Sequence, residues 1–315
     1  MKHLFIINPV SGGKKHNPSV TEEMIKKAMN CTSEPYEIYY TVSPKDACRK
    51  ITAEAESEDD LRVYGCGGDG TLNECVNAAV GKENVAITQF PCGTGNDFLR
   101  MFGEDMEKFK NFKGLVSGKK HKIDVIKCGD EDYGVNICSV GIDARIGTGV
   151  HKYSRIPLLG GKAAYVTSLI ANVLQGINSR MTIEVNGEVK TDMFALVCAC
   201  NGRYYGGGFN PLKDARIDDG IIDILIVDKV SLGLLVRLIG KYATGRYYEI
   251  PDHIKRVAAG KIRISSQEQF VVNIDGEAVF TDDITLQIVP GGLNFIVPDG
   301  VNYFEEESKK EKTEA

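Results

Sequence analysis

The sequence has no run approaching the roughly 18 apolar residues that a bilayer-spanning helix needs. Its N-terminal apolar stretch, Leu4-Phe5-Ile6-Ile7, stops at Asn8-Pro9, too short for the core of a secretory signal. A cytoplasmic chain is therefore expected, with peripheral attachment as its one route to a membrane. A charge excess is missing too: 38 basic against 43 acidic side chains leave a net −5, which argues against strong non-specific DNA binding. The nine cysteines are an odd set without a Cys-x-x-Cys, and only Cys198 and Cys200 are closely spaced, unlike the even framework of a secreted scaffold. They read as reduced, mostly buried thiols. None of His3, His16, His121, His151 and His253 stands at ligand spacing from a cysteine pair, so zinc is not expected. There is no fixed-period repeat.

What is present is ordinary globular material, 315 residues with 43% hydrophobic and 26% charged side chains, enough for about two domains at roughly 150 residues each. The first 125 residues alternate short β-type runs with amphipathic helical stretches, the pattern of a parallel sheet covered by helices. Strands are expected at His3–Ile7, Glu37–Thr41, Leu61–Tyr64 and Val85–Phe90, and a helix opening at Ser43-Pro44. After Lys122 short β runs and turn signals take over, among them Asn186-Gly187 between Met181–Val185 and Val189–Cys200. This half reads as mainly antiparallel β, interrupted by helical segments at Lys162–Gly176 and Ser231–Thr244. Further strands are expected at Lys261–Ser265, Gln269–Ile274, Ile284–Val289 and Asn294–Val297. The charged end beyond residue 304 has no apolar face to bury and reads as a mobile tail.

Glycine-rich turns follow three strand candidates of the first half: Asn8-Pro9-Val10-Ser11-Gly12-Gly13-Lys14, Gly65-Cys66-Gly67-Gly68-Asp69-Gly70-Thr71, and Pro91-Cys92-Gly93-Thr94-Gly95-Asn96-Asp97. In a parallel sheet they meet at the carboxyl edge, where ligands bind. Glycines let backbone approach a phosphate, and each turn precedes a helix whose first N–H groups attract anions. A nucleotide is the natural ligand. The spacer and Ser/Thr of a P-loop are absent after Lys14. Gly65, Gly67 and Gly70 satisfy the dinucleotide spacing, but the next strand ends Thr88-Gln89-Phe90, without the acid that would hold a ribose. Asp69 would repel a pyrophosphate unless a divalent cation lay between them, so a metal–nucleotide complex suits it better.

The three motifs, with Gly67-Gly68-Asp69-Gly70-Thr71-Leu72-Asn73-Glu74 at their centre, resemble the diacylglycerol kinase catalytic domain. More narrowly the chain resembles the soluble bacterial diacylglycerol kinase and lipid kinase family, related to sphingosine kinases and distantly to NAD kinases. The likeness runs in the same order to near Pro298. It implies an α/β class with a Rossmann-like nucleotide domain at 1–125, an antiparallel β-sandwich at 126–298, a tail at 299–315, and an active cleft between the domains. It places ATP against Asn8, Ser11, Gly12, Gly13, Lys14, the loop Gly67, Gly68, Asp69, Gly70, Thr71, Leu72 and Asn73, and Thr94, with Thr41 as a further contact. Asp69 would act through magnesium. The family's base is an aspartate in an Asp-Gly-Glu turn, matched here by Asp275-Gly276-Glu277. A structural magnesium falls to Asp219 and the carbonyls of Arg216 and Ile221, with Asp124 behind them through water, after the Gly206–Pro211 stretch. Homodimers are also a family expectation.

The implied activity is magnesium-dependent transfer of the ATP γ-phosphoryl group to a lipid hydroxyl, foremost that of diacylglycerol. Sphingosine-type and other lipid-alcohol kinases remain open, as does a nucleotide-binding module without catalysis. An ordinary aspartate, with a pKa of about 3.9, is too weak to strip an alcohol beforehand, so the base would orient the hydroxyl and accept its proton late. For the membrane, one candidate contact is the cluster Lys108, Lys110, Lys113, Lys119, Lys120 and Lys122, interleaved with Phe109, Phe112, Leu115 and Val116, whose alternative reading is a solvated helix face.

Overall fold

The structure is a computed structural model that describes residues 1–11, 20–142, 144–145 and 176–304 of the chain. The chain divides into two compact units: Met1–Ile123 together with the chain from Gly291 onward, and Asp124–Pro290.

In the first unit, β1 (Lys2–Ile7), β2 (Tyr36–Tyr40), β3 (Leu61–Gly67) and β4 (Val85–Pro91) form a parallel sheet in the order β4-β3-β1-β2. Helices α1 (Glu22–Met29), α2 (Asp46–Ser57) and α3 (Asp69–Ala79) connect the strands. A parallel sheet is covered on both faces, so its strands read as continuous apolar runs rather than alternating ones. Leu4, Phe5, Ile6 and Ile7 are accordingly all buried. Phe5 stacks on Tyr64 with ring centroids 4.5 Å apart, and Phe90 stacks on Phe112 at 4.2 Å.

Three differences from the sequence expectation have physical causes. First, α2 starts at Asp46, beyond the expected Ser43-Pro44 cap, after Lys45 with φ of 63°. Its opening N–H groups are satisfied from another helix: the Glu74 carboxylate of α3 accepts from Lys45 N–H at 2.9 Å and Ala47 N–H at 3.0 Å. Second, residues 291–298, expected in the second domain, belong to the first unit as far as the chain divides. There Asn294 and Phe295 pair in parallel with Ala86 and Ile87 of β4, and Phe295 is buried against Phe98 and Phe109. The expected tail also begins ordered: Val301 is buried, Tyr303 packs edge-on to Phe102 and Phe304 stacks on His121; residues beyond 304 lie outside the described set.

Third, the lysine cluster is not an apolar-basic surface. It spans a 3-10 helix (Phe98–Lys110, kinked at Gly103), α4 (Phe112–Val116) and the start of β5 (Lys119–Cys128). Phe109, Phe112, Leu115 and Val116 all point into the core. Lys108, Lys110, Lys120 and Lys122 pair with Asp105, Glu107, Asp60 and Glu83. Its apolar half is already used by folding.

The second unit is antiparallel, built from β6 (Asp132–Gly134), β7 (Ile137–Gly141), β8 (Ser179–Val185), β9 (Glu188–Cys200), β10 (Ile222–Asp228), β11 (Ile254–Ala259), β12 (Lys261–Ile274) and most of β13 (Glu277–Val297). The Asn186-Gly187 turn has φ of 51° and 80°, both positive as a tight two-residue hairpin requires. The long β9 changes partners along its length: Glu188–Phe194 pair with β8, and Leu196–Cys200 with β7 and β10. Strand alternation then splits two cores. Val197 and Ala199 face one, with Ile222, Ile224, Ile262 and Ile264, whereas Leu196, Cys198 and Cys200 face the other. The second core is closed by α5 (Leu232–Ala243), whose Ser231 caps it by accepting from Leu234 N–H. The expected helix at Lys162–Gly176 lies outside the described residues apart from Gly176.

Candidate active site

In the first unit the carboxyl ends of β1, β3 and β4 lie side by side, which gathers the three loops at one edge. Gly12, Gly13 and Lys14 lie outside the described residues; Asn8 and Ser11 are within them. Asn8 ties the first loop to the second: its N–H donates to Cys66 C=O at 3.1 Å and its side-chain amide to the Thr71 hydroxyl at 3.1 Å. Thr41 stands beside Asn8 at the end of β2, its N–H bonded to Ile7 C=O at 2.9 Å. Thr71 and Leu72 are buried, Gly68, Asp69 and Asn73 are half-buried, and Gly70 and Thr94 are exposed.

The glycines are there because backbones touch. A Cβ on Gly93 would lie 2.5 Å from Gly68 Cα, and one on Gly67 would lie 2.2 Å from the Thr71 hydroxyl oxygen. Gln89, fully buried on β4, bridges Gly67 C=O at 3.3 Å and Asn96 Oδ1 at 3.4 Å. Asn96 closes the third loop by exchanging bonds with Gly93, and its φ of 48° is tolerated by asparagine better than by most residues. At the centre α3 starts at Asp69 with Gly68 in the capping position, which makes no side-chain cap hydrogen bond. The opening N–H groups of a helix carry partial positive charge and attract anions.

The Asp69 carboxyl is pushed above the usual range by burial and then by the Asp97 carboxylate. A carboxylate in this setting fits a hard divalent cation such as magnesium, which would relieve the charge and which Asp69 would hold.

In the second unit, Asp275 occupies the β12–β13 turn with φ of 52°, followed by Gly276 at 101°. Its carboxylate accepts three backbone N–H groups: Val135 at 2.6 Å on Oδ2, and Asn136 at 3.1 Å and Ile137 at 2.9 Å on Oδ1. The segment before β7 thus holds the carboxylate in one orientation.

The candidate cation turn lies in the same unit. Asp219 Oδ1 accepts from Ile221 N–H at 3.1 Å, while buried Asp124 accepts from Gly220 N–H at 2.7 Å and donates its own N–H to Ile217 C=O at 2.6 Å. Asp219 is pushed up by partial desolvation and then by the carboxylates of Asp223 and Asp124. Among the described residues no three His, Cys, Asp or Glu side chains converge as ligands. A cation here would rest on one carboxylate plus carbonyls and water, oxygen donors that suit magnesium.

Asn136 and Asn201, absent from the sequence-based candidates, connect these two places. Asn201 is fully buried and its amide donates to Asp124 C=O at 2.9 Å and Val135 C=O at 2.7 Å. Asn136 accepts backbone N–H from Asn201 and Gly202 and donates to Tyr204 C=O at 2.6 Å. An available signal was that each asparagine adjoins the end of an apolar strand, Asn136 before β7 and Asn201 after β9, where a buried amide needs a structural reason.

Residues 2–128 match the diacylglycerol kinase catalytic domain family, and residues 136–297 match the YegS C-terminal NAD kinase beta sandwich-like domain. A Staphylococcus epidermidis protein named "Putative lipid kinase" is 28% identical over 254 residues, covering 79% of this chain and 80% of its own. A Staphylococcus haemolyticus protein of like name is 28% identical over 250 residues, covering 79% and 80%. Among solved structures, a "putative diacylglycerol kinase" from Bacillus anthracis superposes with a TM-score of 0.72 at 26% identity, covering 95% of this chain and 98% of that one. With both halves matched in order, the chain belongs to the diacylglycerol kinase-like lipid kinase family, with a catalytic α/β domain followed by a β-sandwich-like domain.

Proposed function

We propose that the protein is a magnesium-dependent kinase that transfers the ATP γ-phosphoryl group to the hydroxyl of diacylglycerol, giving phosphatidic acid. The observation that carries this reading is the edge where the loops after β1, β3 and β4 meet at the N-terminus of α3, capped by Gly68 without a side-chain bond. Phosphoryl transfer needs alignment and charge neutralisation more than covalent chemistry from the protein. Gly67, Gly68, Gly93 and Thr94 supply close backbone approach, Thr41, Asn73, Asn8 and Ser11 border the same edge, and α3 offers its N–H groups to phosphate oxygens. Asp69 holds the cation, which when bound neutralises phosphate charge. Gly12, Gly13 and Lys14 complete the nucleotide loop in this reading.

Asp275 orients the acceptor hydroxyl and takes its proton as the O–P bond forms. Its orientation is supported by the Val135, Asn136 and Ile137 amides. Asp219, with the Arg216 and Ile221 carbonyls and Asp124 behind, holds a second, structural magnesium. The enzyme acts as a peripheral protein on the inner face of the cell membrane; no helix among the described residues is long and apolar enough to cross it.

The test is transfer of labelled phosphate from ATP with magnesium to a micellar panel of diacylglycerol, monoacylglycerol, phosphatidylglycerol, sphingosine and a polyprenol, with NAD alongside. Labelled phosphatidic acid that disappears in Asp275→Ala, with nucleotide binding retained, is the expected result. Nucleotide binding without any labelled acceptor would overturn it in favour of a binding module.

A further inference from the structure

The solvent face of α5 is apolar, with Arg237 on the same helix and Lys229 just before it, in a chain of net negative charge. Leu232, Val236 and Ile239 are 49%, 68% and 38% exposed and fall at i, i+4 and i+7, so they form one stripe along the helix. The opposite side holds the helix down through buried Leu238 and Tyr242, and the Tyr242 hydroxyl meets that of Tyr205 at 2.9 Å. The stripe thus stays exposed while the opposite side of the helix carries the packing among the described residues.

Beside the stripe lie Gly233 and Gly240, with open space around them, and then Arg237. From Lys229 to Tyr248 the chain carries Lys229, Arg237, Lys241 and Arg246 and no Asp or Glu, against a net −5 for the whole. Lys241 and Arg246 reach Glu249 at 3.2 and 3.6 Å, whereas Arg237 has no acidic partner among the described residues. Tyr248, 66% exposed, follows in a short 3-10 turn and has the amphipathic ring that interfaces favour. With Lys241 and Arg246 engaged by Glu249, Arg237 and Lys229 are the cations left to this face, and together with the apolar stripe they complement a surface of opposite sign with an apolar layer beneath it. A second copy of the same face is the poorer match, because residues 229–248 of either copy bring cations and no acid to pair with them.

We propose that this face of α5 docks the protein on an anionic lipid bilayer, with Leu232, Val236 and Ile239 entering the acyl boundary and Arg237 and Lys229 meeting headgroup phosphates. The inference rests on the lipid-kinase reading, since that activity requires a surface that meets the bilayer. It also puts the membrane contact on the second unit rather than on the Lys108–Lys122 segment, whose apolar residues are buried.

The experiment is co-sedimentation of the full chain with vesicles of phosphatidylcholine alone or with one-quarter phosphatidylglycerol, for the wild type, Val236→Asp/Ile239→Asp, Arg237→Glu and Lys119→Glu/Lys120→Glu. The substituted α5 residues are exposed, so thermal melting should stay within a few degrees of the wild type. The expected result is salt-sensitive binding to the anionic vesicles, weakened about tenfold or more by either α5 variant and little changed by the lysine pair. Equal binding by wild type and α5 variants would overturn the proposal, as would a shift of the α5 variants from dimer to monomer in lipid-free sedimentation, which would make the face a contact between copies. Phosphorylation of a short-chain, water-soluble diacylglycerol separates the two readings. If the wild type lacks it, the kinase reading fails whatever the vesicles show; if the α5 variants retain it while losing vesicle binding, the docking surface stands.

Discussion

The Asp97 amide donates to Asp69 Oδ1 at 2.7 Å, so the loop after β4 is fastened to the first residue of α3. Arg100 reinforces the fastening through Gly95 C=O at 3.0 Å. A Cβ on Gly95 would lie 2.6 Å from Asp69 Oδ2. Gly95→Ala is expected to displace that carboxylate and lower affinity for magnesium–ATP about tenfold or more while costing only about 1 kcal/mol of stability. Gly93→Ala meets backbone instead of a side chain, at 2.5 Å from Gly68 Cα, and is expected to cost about 2–4 kcal/mol. Calorimetric titration and denaturant melts of the two variants check the split.

Replacing Asp69 itself should separate stability from function. Because burial and Asp97 push its carboxyl up, the folded state holds the proton more tightly than the unfolded chain. This group's contribution therefore falls as pH rises from the ordinary carboxyl range through the folded value. Asp69→Asn is expected to melt roughly 1–3 °C higher than wild type at neutral pH without ligand, and to lose the stabilisation that magnesium–ATP confers. Thermal shift with and without magnesium–ATP is the measurement.

Asp275→Asn is less conservative than it looks. Both carboxylate oxygens accept N–H bonds, so whichever way the amide turns, its NH2 faces a donor from Val135 or from Asn136 and Ile137. The substitution is expected to cost about 1–3 kcal/mol in addition to most of the turnover. Denaturation midpoints measured beside single-turnover rates distinguish the two losses.

His3 makes the first unit sensitive to mild acid. It is fully buried between the Tyr64 hydroxyl at 2.7 Å and the Glu34 carboxylate at 2.8 Å, and burial lowers its pKa below the usual value. The unfolded chain then binds the proton more readily. The stabilisation is present above about pH 6.5 and is lost as pH falls from there through the folded value. His3→Gln should show a shallower decline of melting temperature over that window; equal slopes would show that another group is responsible.

The thiols give a check on the fold. All nine cysteines are free; Cys31 is exposed, Cys48 half-buried, and the rest buried. Burial pushes Cys66 and Cys75 up, away from the reactive thiolate. A colorimetric thiol reagent should modify Cys31 quickly, Cys48 slowly and the remaining seven only on unfolding.

Much of the architecture was legible because the signals were local. Apolar runs ending in glycine turns marked β1, β3 and β4, and Asn186-Gly187 and Asp275-Gly276 marked hairpins, each with positive φ at both residues. The start of α2 was not legible, because the groups that cap it belong to Glu74, 27 and 29 residues away. The lysine cluster stayed open for a related reason: lysines alternating with phenylalanines look the same whether the rings face solvent or core.

The sequence by itself determined the class of each half, because strand period and turn residues are read from neighbours in the chain, and its three motifs carried the resemblance to the family. Only the tertiary structure decided which groups meet. It brought Phe295 to β4, set Asp275 under the amides of residues 135–137, and spanned Asp124 and Val135 with Asn201. It also buried Phe109 and Phe112 while leaving Val236 in solvent. Hydrogen bonding and burial join residues far apart in sequence, and that distance is the information a linear pattern does not carry.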